Sequence, residues 1–235
     1  MLPLLPAYPD PPYRYRRVVG SNLLCRVDPS SLERLIPAPL RLHPEHHVWM
    51  YAFELSGAEP LAIDYHEVGV FVTVLWGDQP GLYPLVLFLD QTLPIIIGRE
   101  VWGFPKRYSA PIVVERDSEV ARASVSPEIH SALRWSMRIE ADQGEQLPAR
   151  RQRIFTHRYF PAPDLTSAPD VDELVESNWQ TAEERRYRGS HIQWVSNWSA
   201  FPELKALEKL EVVAGWYSEI EGLVLEAGRR IHRFE

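Results

Sequence analysis

Cysteine is nearly absent from this chain of 235 residues. Cys25 is the only one, so no disulfide framework can form within the chain. No apolar run approaches the roughly 20 residues that a membrane-spanning helix needs. Positive charge is in deficit: 25 Lys and Arg against 32 Asp and Glu give a formal charge of −7. That balance argues against nucleic acid, whose phosphates reward a basic surface, and gives no support to binding an anionic membrane. The segment 1–12 is proline-rich, lacks a basic leader and does not read as a signal peptide. A cytoplasmic protein is the simplest expectation. Also missing are a Gly-x-Gly-x-x-Gly fingerprint, a phosphate-binding Gly-rich loop and a Gly-x-Ser-x-Gly elbow. The cluster His43-Pro44-Glu45-His46-His47 lacks the His-x-x-Glu-His order of a zinc site, and Pro44 argues against a helix there. No metal is assigned.

What is present suits a packed core: 45% hydrophobic and 24% charged residues, a composition that excludes disorder. Five prolines make residues 1–12 an extended arm. One short helix is expected over 29–36, with Asp28 as its cap, Pro29 in its first turn and Pro37 as its stop. Runs rich in β-branched and aromatic residues follow at 47–55, 65–76, 82–90 and 93–100, separated by Gly, Pro and Asp. Residues 110–116 and 120–125 flank Asp117-Ser118-Glu119 as a hairpin. In 132–141, Leu133, Trp135, Met137 and Ile139 alternate with polar residues, as in a strand with one packed face. A further strand is expected at 154–160. The span 171–188 is open: Glu183-Glu184-Arg185-Arg186 favours a helix on propensity. Residues 207–234 read as two strands with a helical turn at the C-terminal end. Many strands and few helices, with no linker, predict one mainly β domain over 1–235, closed or partly closed.

The segment carrying most chemistry is Gly98-Arg99-Glu100-Val101-Trp102-Gly103-Phe104-Pro105-Lys106-Arg107. Two glycines permit close backbone approach or positive φ, and Pro105 fixes the chain before the lysine. Trp102 and Phe104 supply apolar surface, and Arg107 supplies a permanent positive charge. Apolar burial and a neighbouring cation both disfavour an ammonium ion, and a neutral amine attacks a ketone to form a Schiff base. On a strand, Arg107 points away from the face of Lys106, so it acts through its field or not at all. On the run at 65–76, Tyr65, Glu67 and Gly69 share one face, opposite His66 and Val68. His66 reads as a surface residue, Cys25 as core, and most of the eight tryptophans as core.

Gly-Arg-Glu-x-x-Gly-Phe-Pro-Lys resembles the active-site signature of the acetoacetate decarboxylase family. Pro12-Tyr13, Asn22 to Asp28, Leu35 to Leu40, Tyr65-His66-Glu67 and Leu89-Asp90 extend the resemblance over the first half, and only general pattern extends it further. It implies an antiparallel, cone-shaped β-barrel with the site inside, strand structure for 171–188, and a homo-oligomer. It also implies that Lys106 forms the Schiff base and that Glu67 is the active-site glutamate. Arg107 stands where decarboxylases carry a second lysine. Activation by such a cation is that family's known pattern rather than a property read from these residues.

Two positions depart from the family. Its substrate-holding arginine falls at Val18, which leaves Arg16, or less well Arg17, to meet a carboxylate. Its further glutamate falls near Tyr51, with Glu54 out of register. The expected activity is decarboxylation of an acetoacetate-like oxo acid in a pocket lined by Tyr65, Trp102 and Phe104. The imine is the electron sink, so no cofactor is expected. The alternatives are aldol addition with dehydration on a pyruvate-like donor, or a barrel that binds small ligands without turnover.

Overall fold

The computed structural model describes residues 8–128, 131–140 and 144–234. The expected arm lies mostly outside them. In chain order the strands are β1 (Tyr13–Arg26), β2 (Arg41–Leu42), β3 (His47–Glu59), β4 (Tyr65–Trp76), β5 (Gln79–Leu89), β6 (Lys106–Tyr108) and β7 (Ile112–Arg116). They continue with β8 (Val120–Glu128), β9 (Ser131–Ile139), β10 (Glu145–Leu147), β11 (Arg150–Phe160), β12 (Val171–Trp198), β13 (Glu211–Leu225) and β14 (Arg229–Arg233). All belong to one sheet. Neighbours run β11–β5–β4–β3–β1–β13–β12, and β12 pairs back onto β11, so seven strands close a ring. The pairing is antiparallel except where β5 meets β6 and β11. Among the described residues no helix is long and apolar enough to cross a membrane.

β12 joins two layers because of its length, 28 residues. Its first half lies in the ring between β11 and β13. Its second half pairs with β9, which continues to β8 and β7. This second layer packs against the outer face of the ring. Val48, Met50, Val68, Val70 and Val72 from the ring share one apolar cluster with Ile112, Ala123, Leu133, Trp135 and Met137. A separate cluster fills the inside of the ring, with Tyr15, Val18, Tyr51, Phe53, Leu87 and Phe104. Ring strands such as β3 and β4 therefore bury residues on both faces, as a sheet between two cores must.

Four adjacent strands break the two-residue alternation of a strand along a single row. Tyr15 and Val18, Leu55 and Ala58, Thr181 and Glu184, and Ile220 and Leu223 are all buried at a spacing of three. The row between them is Gly57, Arg16, Gly222 and Ala182, and no ladder pairing is formed at those residues. Gly57 and Gly222 take φ of 65° and 66°, a left-handed conformation open to glycine at little cost. The slip turns Arg16 outward. The expectation that Arg16 shares the face of Val18 is therefore corrected: Arg16 and Arg17 are both exposed.

The short helix α1 (Pro29–Glu33) is present, with the Asp28 carboxylate accepting from the Ser30 N–H at 3.0 Å. The span 171–188 is strand, not helix. Two expectations fail. Residues 93–100 form no strand: Thr92–Ile97 is helix α2, and Gly98–Trp102 is a π-helical turn. An apolar run of this length fits either type, and Pro94 in the first turn gives up no hydrogen bond there. The helical turn expected at the C-terminal end lies instead before β13, as a 3₁₀ segment at Pro202–Lys209.

Candidate active site

The signature segment folds back on itself. The π turn ends at Gly103, whose φ of 79° is left-handed. The Gly103 N–H donates to Arg99 O at 3.1 Å and the Phe104 N–H to Gly98 O at 3.0 Å. The chain then enters β6, which pairs parallel to β5 with Lys106 beside Leu87. Both glycines are required by contact. A Cβ on Gly103 would stand 2.5 Å from the Arg158 Cα, and one on Gly98 2.6 Å from the Lys106 Cδ. The lysine side chain thus runs across the bare backbone of Gly98. The Arg99 guanidinium donates to Lys106 O at 3.2 Å and fixes the turn to the strand that follows.

Lys106 and Glu67 meet inside the ring. Their side chains are 7% and 5% exposed, with Nζ 2.9 Å from Oε2. The other oxygen, Oε1, accepts from the Tyr51 hydroxyl at 2.5 Å. Oε2 has no partner other than the Lys106 amine among the described residues. Tyr65 and Phe104 turn their rings toward the amine, with centroids 5.9 and 5.5 Å from Nζ. The Tyr15 and Tyr65 hydroxyls are 2.9 Å apart. Burial, then the charge of Glu67, pushes the Tyr51 phenol well above its usual range. Burial does the same to Tyr65 and Tyr15. These phenols stay protonated at neutral pH, so Tyr51 remains a donor. The cavity they share has a volume of about 250 Å³.

The expected site residues divide. Lys106, Glu67, Tyr65 and Phe104 line the cavity. Trp102 is buried behind the turn instead, with its indole N–H on Glu226 O at 2.9 Å and its ring against Tyr13. Arg107 faces away: its guanidinium lies 4.9 Å from the Phe201 ring and 3.6 Å from Glu203. A strand sends adjacent side chains to opposite faces, so direct contact with the amine is lost. Arg16 and Arg17 do not line the cavity. His66 is held outside by Asp90, at 2.7 Å. Sequence reasoning missed Tyr15 and the role of Tyr51. Their signal was alternation: Tyr51 shares a face with Trp49 and Phe53, as Glu67 does with Tyr65. It also missed Arg150, Glu184 and Arg186, which line the opposite wall.

A ring of strands encloses a small cavity in which a buried amine is held against a buried carboxylate, the layout of an enzyme pocket. The comparisons specify the class. The family model for acetoacetate decarboxylase (ADC) matches residues 2–233. The chain belongs to that family, whose named members are lyases. Acetoacetate decarboxylase 1 of Mesorhizobium japonicum is 30% identical over 242 residues, covering 99% of this chain and 94% of that one. The crystal structure of acetoacetate decarboxylase from Legionella pneumophila superposes with a TM-score of 0.83 at 20% identity, over 98% of this chain and 91% of that one. The enduracididine biosynthesis enzyme MppR superposes with a TM-score of 0.80 at 18% identity, over 100% and 94%. The two structural likenesses bear on the fold.

Proposed function

We propose that this protein decarboxylates a small β-oxo acid of the acetoacetate type through a Schiff base on Lys106. One observation carries the reading: an amine and a carboxylate 2.9 Å apart, both buried, on the wall of the same cavity. Transfer of a proton from Nζ to Glu67 Oε2 frees the amine's lone pair. The amine attacks the ketone carbon, water leaves, and a protonated imine forms. The bond from the α-carbon to the carboxylate then breaks, and its electron pair flows into the imine to give a neutral enamine and carbon dioxide. The proton first taken by Glu67 has left with the water, so the proton that adds to carbon comes from solvent, relayed by Glu67. Hydrolysis of the imine releases the ketone and regenerates the amine.

Tyr51 holds Glu67 in place through its hydrogen bond to Oε1. Phe104, Tyr65 and Leu87 offer an apolar wall. Loss of a charged carboxylate as a neutral gas is favoured there, because charge is spread out in the transition state. The imine is itself the electron sink, so the reading calls for no cofactor. The family resemblance also supports a homo-oligomer, and the single cysteine a cytoplasmic location.

A second reading has its own support. MppR, of like fold, was determined with pyruvate and with a condensation product of pyruvate. This chain also places Tyr51 and Val18 at two positions where the decarboxylases carry charged residues. On that reading, the same lysine activates a pyruvate-like donor for aldol addition. The test is direct. Carbon dioxide release from acetoacetate should be catalytic in the native protein and at background level in Lys106→Met. Condensation of pyruvate with an aldehyde, with no carbon dioxide from acetoacetate, would select the second reading.

A further inference from the structure

The wall opposite Lys106 carries a second charged group that the chemistry above does not use. Glu184 is buried, its side chain 1% exposed, and stands between two arginines. Arg150 Nη2 lies 2.9 Å from its Oε2, and Arg186 Nε donates to its Oε1 at 2.9 Å. A chain of hydrogen bonds fixes the carboxylate. The Trp49 indole donates to Asn22 at 3.0 Å, Asn22 donates to Ser218 at 3.1 Å, and Ser218 donates to Glu184 Oε1 at 2.8 Å. The Arg186 guanidinium is also held 4.9 Å from the Trp216 ring.

The ladder pairings locate this group. Glu67 pairs with Phe53, Phe53 with Gly20, Gly20 with Ser218, and Ser218 with Arg186. Arg186 therefore stands four strands from Glu67 in a ring of seven, across the ring from it, and lines the same cavity.

The charges do not cancel. Two guanidiniums against one carboxylate leave one positive charge on a partly desolvated wall. Arg150 and Arg186 keep 41% and 26% exposure, so the excess charge is open both to water and to an anion. Desolvation, the largest influence on Arg150, acts against its charged form. Arginine's flat fork of donors matches a carboxylate. The leaving carboxylate is a poor candidate for this anion. It loses its charge during the reaction, so cations on it would stabilise the ground state more than the transition state. A carboxylate that persists through turnover meets no such objection.

We propose that Arg150 and Arg186 bind a second, spectator carboxylate, so that the preferred substrate is a β-oxo dicarboxylic acid. The inference rests on the Schiff-base reading for the placement of the ketone at Lys106.

The test pairs β-oxoadipate with β-oxohexanoate, which share a six-carbon chain and differ in one terminal carboxylate. In the native protein, kcat/KM for the diacid should exceed that for the monoacid by about tenfold or more, the worth of a charge-assisted hydrogen bond. In Arg150→Gln that ratio should collapse toward unity, while Arg150→Lys should restore part of it. Binding of adipate and hexanoate by calorimetry asks the same question without chemistry and without a variant: adipate should bind about tenfold tighter or better. Equal kcat/KM for the two oxo acids, or equal binding of adipate and hexanoate, would overturn the proposal. Borohydride trapping of both oxo acids on Lys106 keeps the readings apart. Adducts with no diacid preference would sink the second-carboxylate site alone. A diacid preference in binding with no adduct would sink the Schiff base instead.

Discussion

Replacing Gly98 by alanine tests how the nucleophile is held. Gly98 has φ −59° and ψ −39°, an ordinary right-handed helical conformation, so alanine meets no backbone strain there. Its new Cβ would stand 2.6 Å from the Lys106 Cδ, 2.7 Å from Cε and 3.3 Å from Nζ. Carbon atoms pack at about 3.5–4.0 Å, so the lysine stem must move by roughly 1 Å. Displacement of a reacting group by that much costs about 100-fold in rate, or about 2.7 kcal/mol of activation free energy. Helix propensity works the other way for stability, favouring alanine by about 0.5–1 kcal/mol. The expected variant is therefore folded and slow. The assay is the rate of borohydride-trapped adduct formation from acetoacetate, alongside thermal melting. Adduct formation at the native rate with an unchanged melting temperature would refute the view that bare backbone at Gly98 positions the lysine. A variant that fails to fold would contradict the φ/ψ argument.

Further outcomes follow from the same geometry. Arg107→Ala should change the rate of acetoacetate turnover by less than about threefold, since surface substitutions away from the site are mild; a drop of orders of magnitude would show that its field reaches the amine from the other face. Tyr51→Phe leaves Glu67 Oε1 without its donor and should lower stability by about 2 kcal/mol, with a fall in kcat that chemical denaturation and steady-state kinetics measure together. Burial raises the Tyr13 and Tyr83 phenols from 10.0 to about 12, and Tyr51 and Tyr65 well above the usual value. The unfolded chain then sheds protons first, so their contribution to stability is intact below pH 10.0 and is lost as pH rises through about 12. Urea titrations across that window, with phenolate absorbance at each pH, should show ionisation coinciding with unfolding; ionisation of all ten tyrosines in the folded protein near pH 10 would contradict the burial argument.

The legibility of the chain follows the regularity of its strands. Glu67 was placed on the face of Tyr65 because β4 alternates without interruption, and the hairpin at Asp117 was readable because its carboxylate accepts from the next N–H groups of its own turn, Glu119 and Val120. The opposite wall was hidden by the alternation slip. Glu183-Glu184-Arg185-Arg186 favours a helix on propensity, yet it lies in β12, where the slip at Ala182 turns Glu184 and Arg186 inward. The cause lies on a neighbouring strand, in the left-handed Gly222, and a sequence read strand by strand does not show it. Val18 and Arg16, expected on one face, are parted for the same reason. The helix at Thr92–Ile97 was read as a strand because Ile95-Ile96-Ile97 suits either type, and its exposure, with Ile95 and Ile97 buried and Ile96 42% exposed, alternates as a strand's would.

The central claim is that Lys106 is the nucleophile, and one measurement addresses it most directly. The protein is incubated with acetoacetate, and separately with pyruvate, then reduced with borohydride, weighed intact and mapped by peptide. The account predicts one stable adduct on Lys106 from acetoacetate, with a mass showing that carbon dioxide left before reduction. No adduct from either ketone, or an adduct on Lys205 or Lys209 instead, would contradict it.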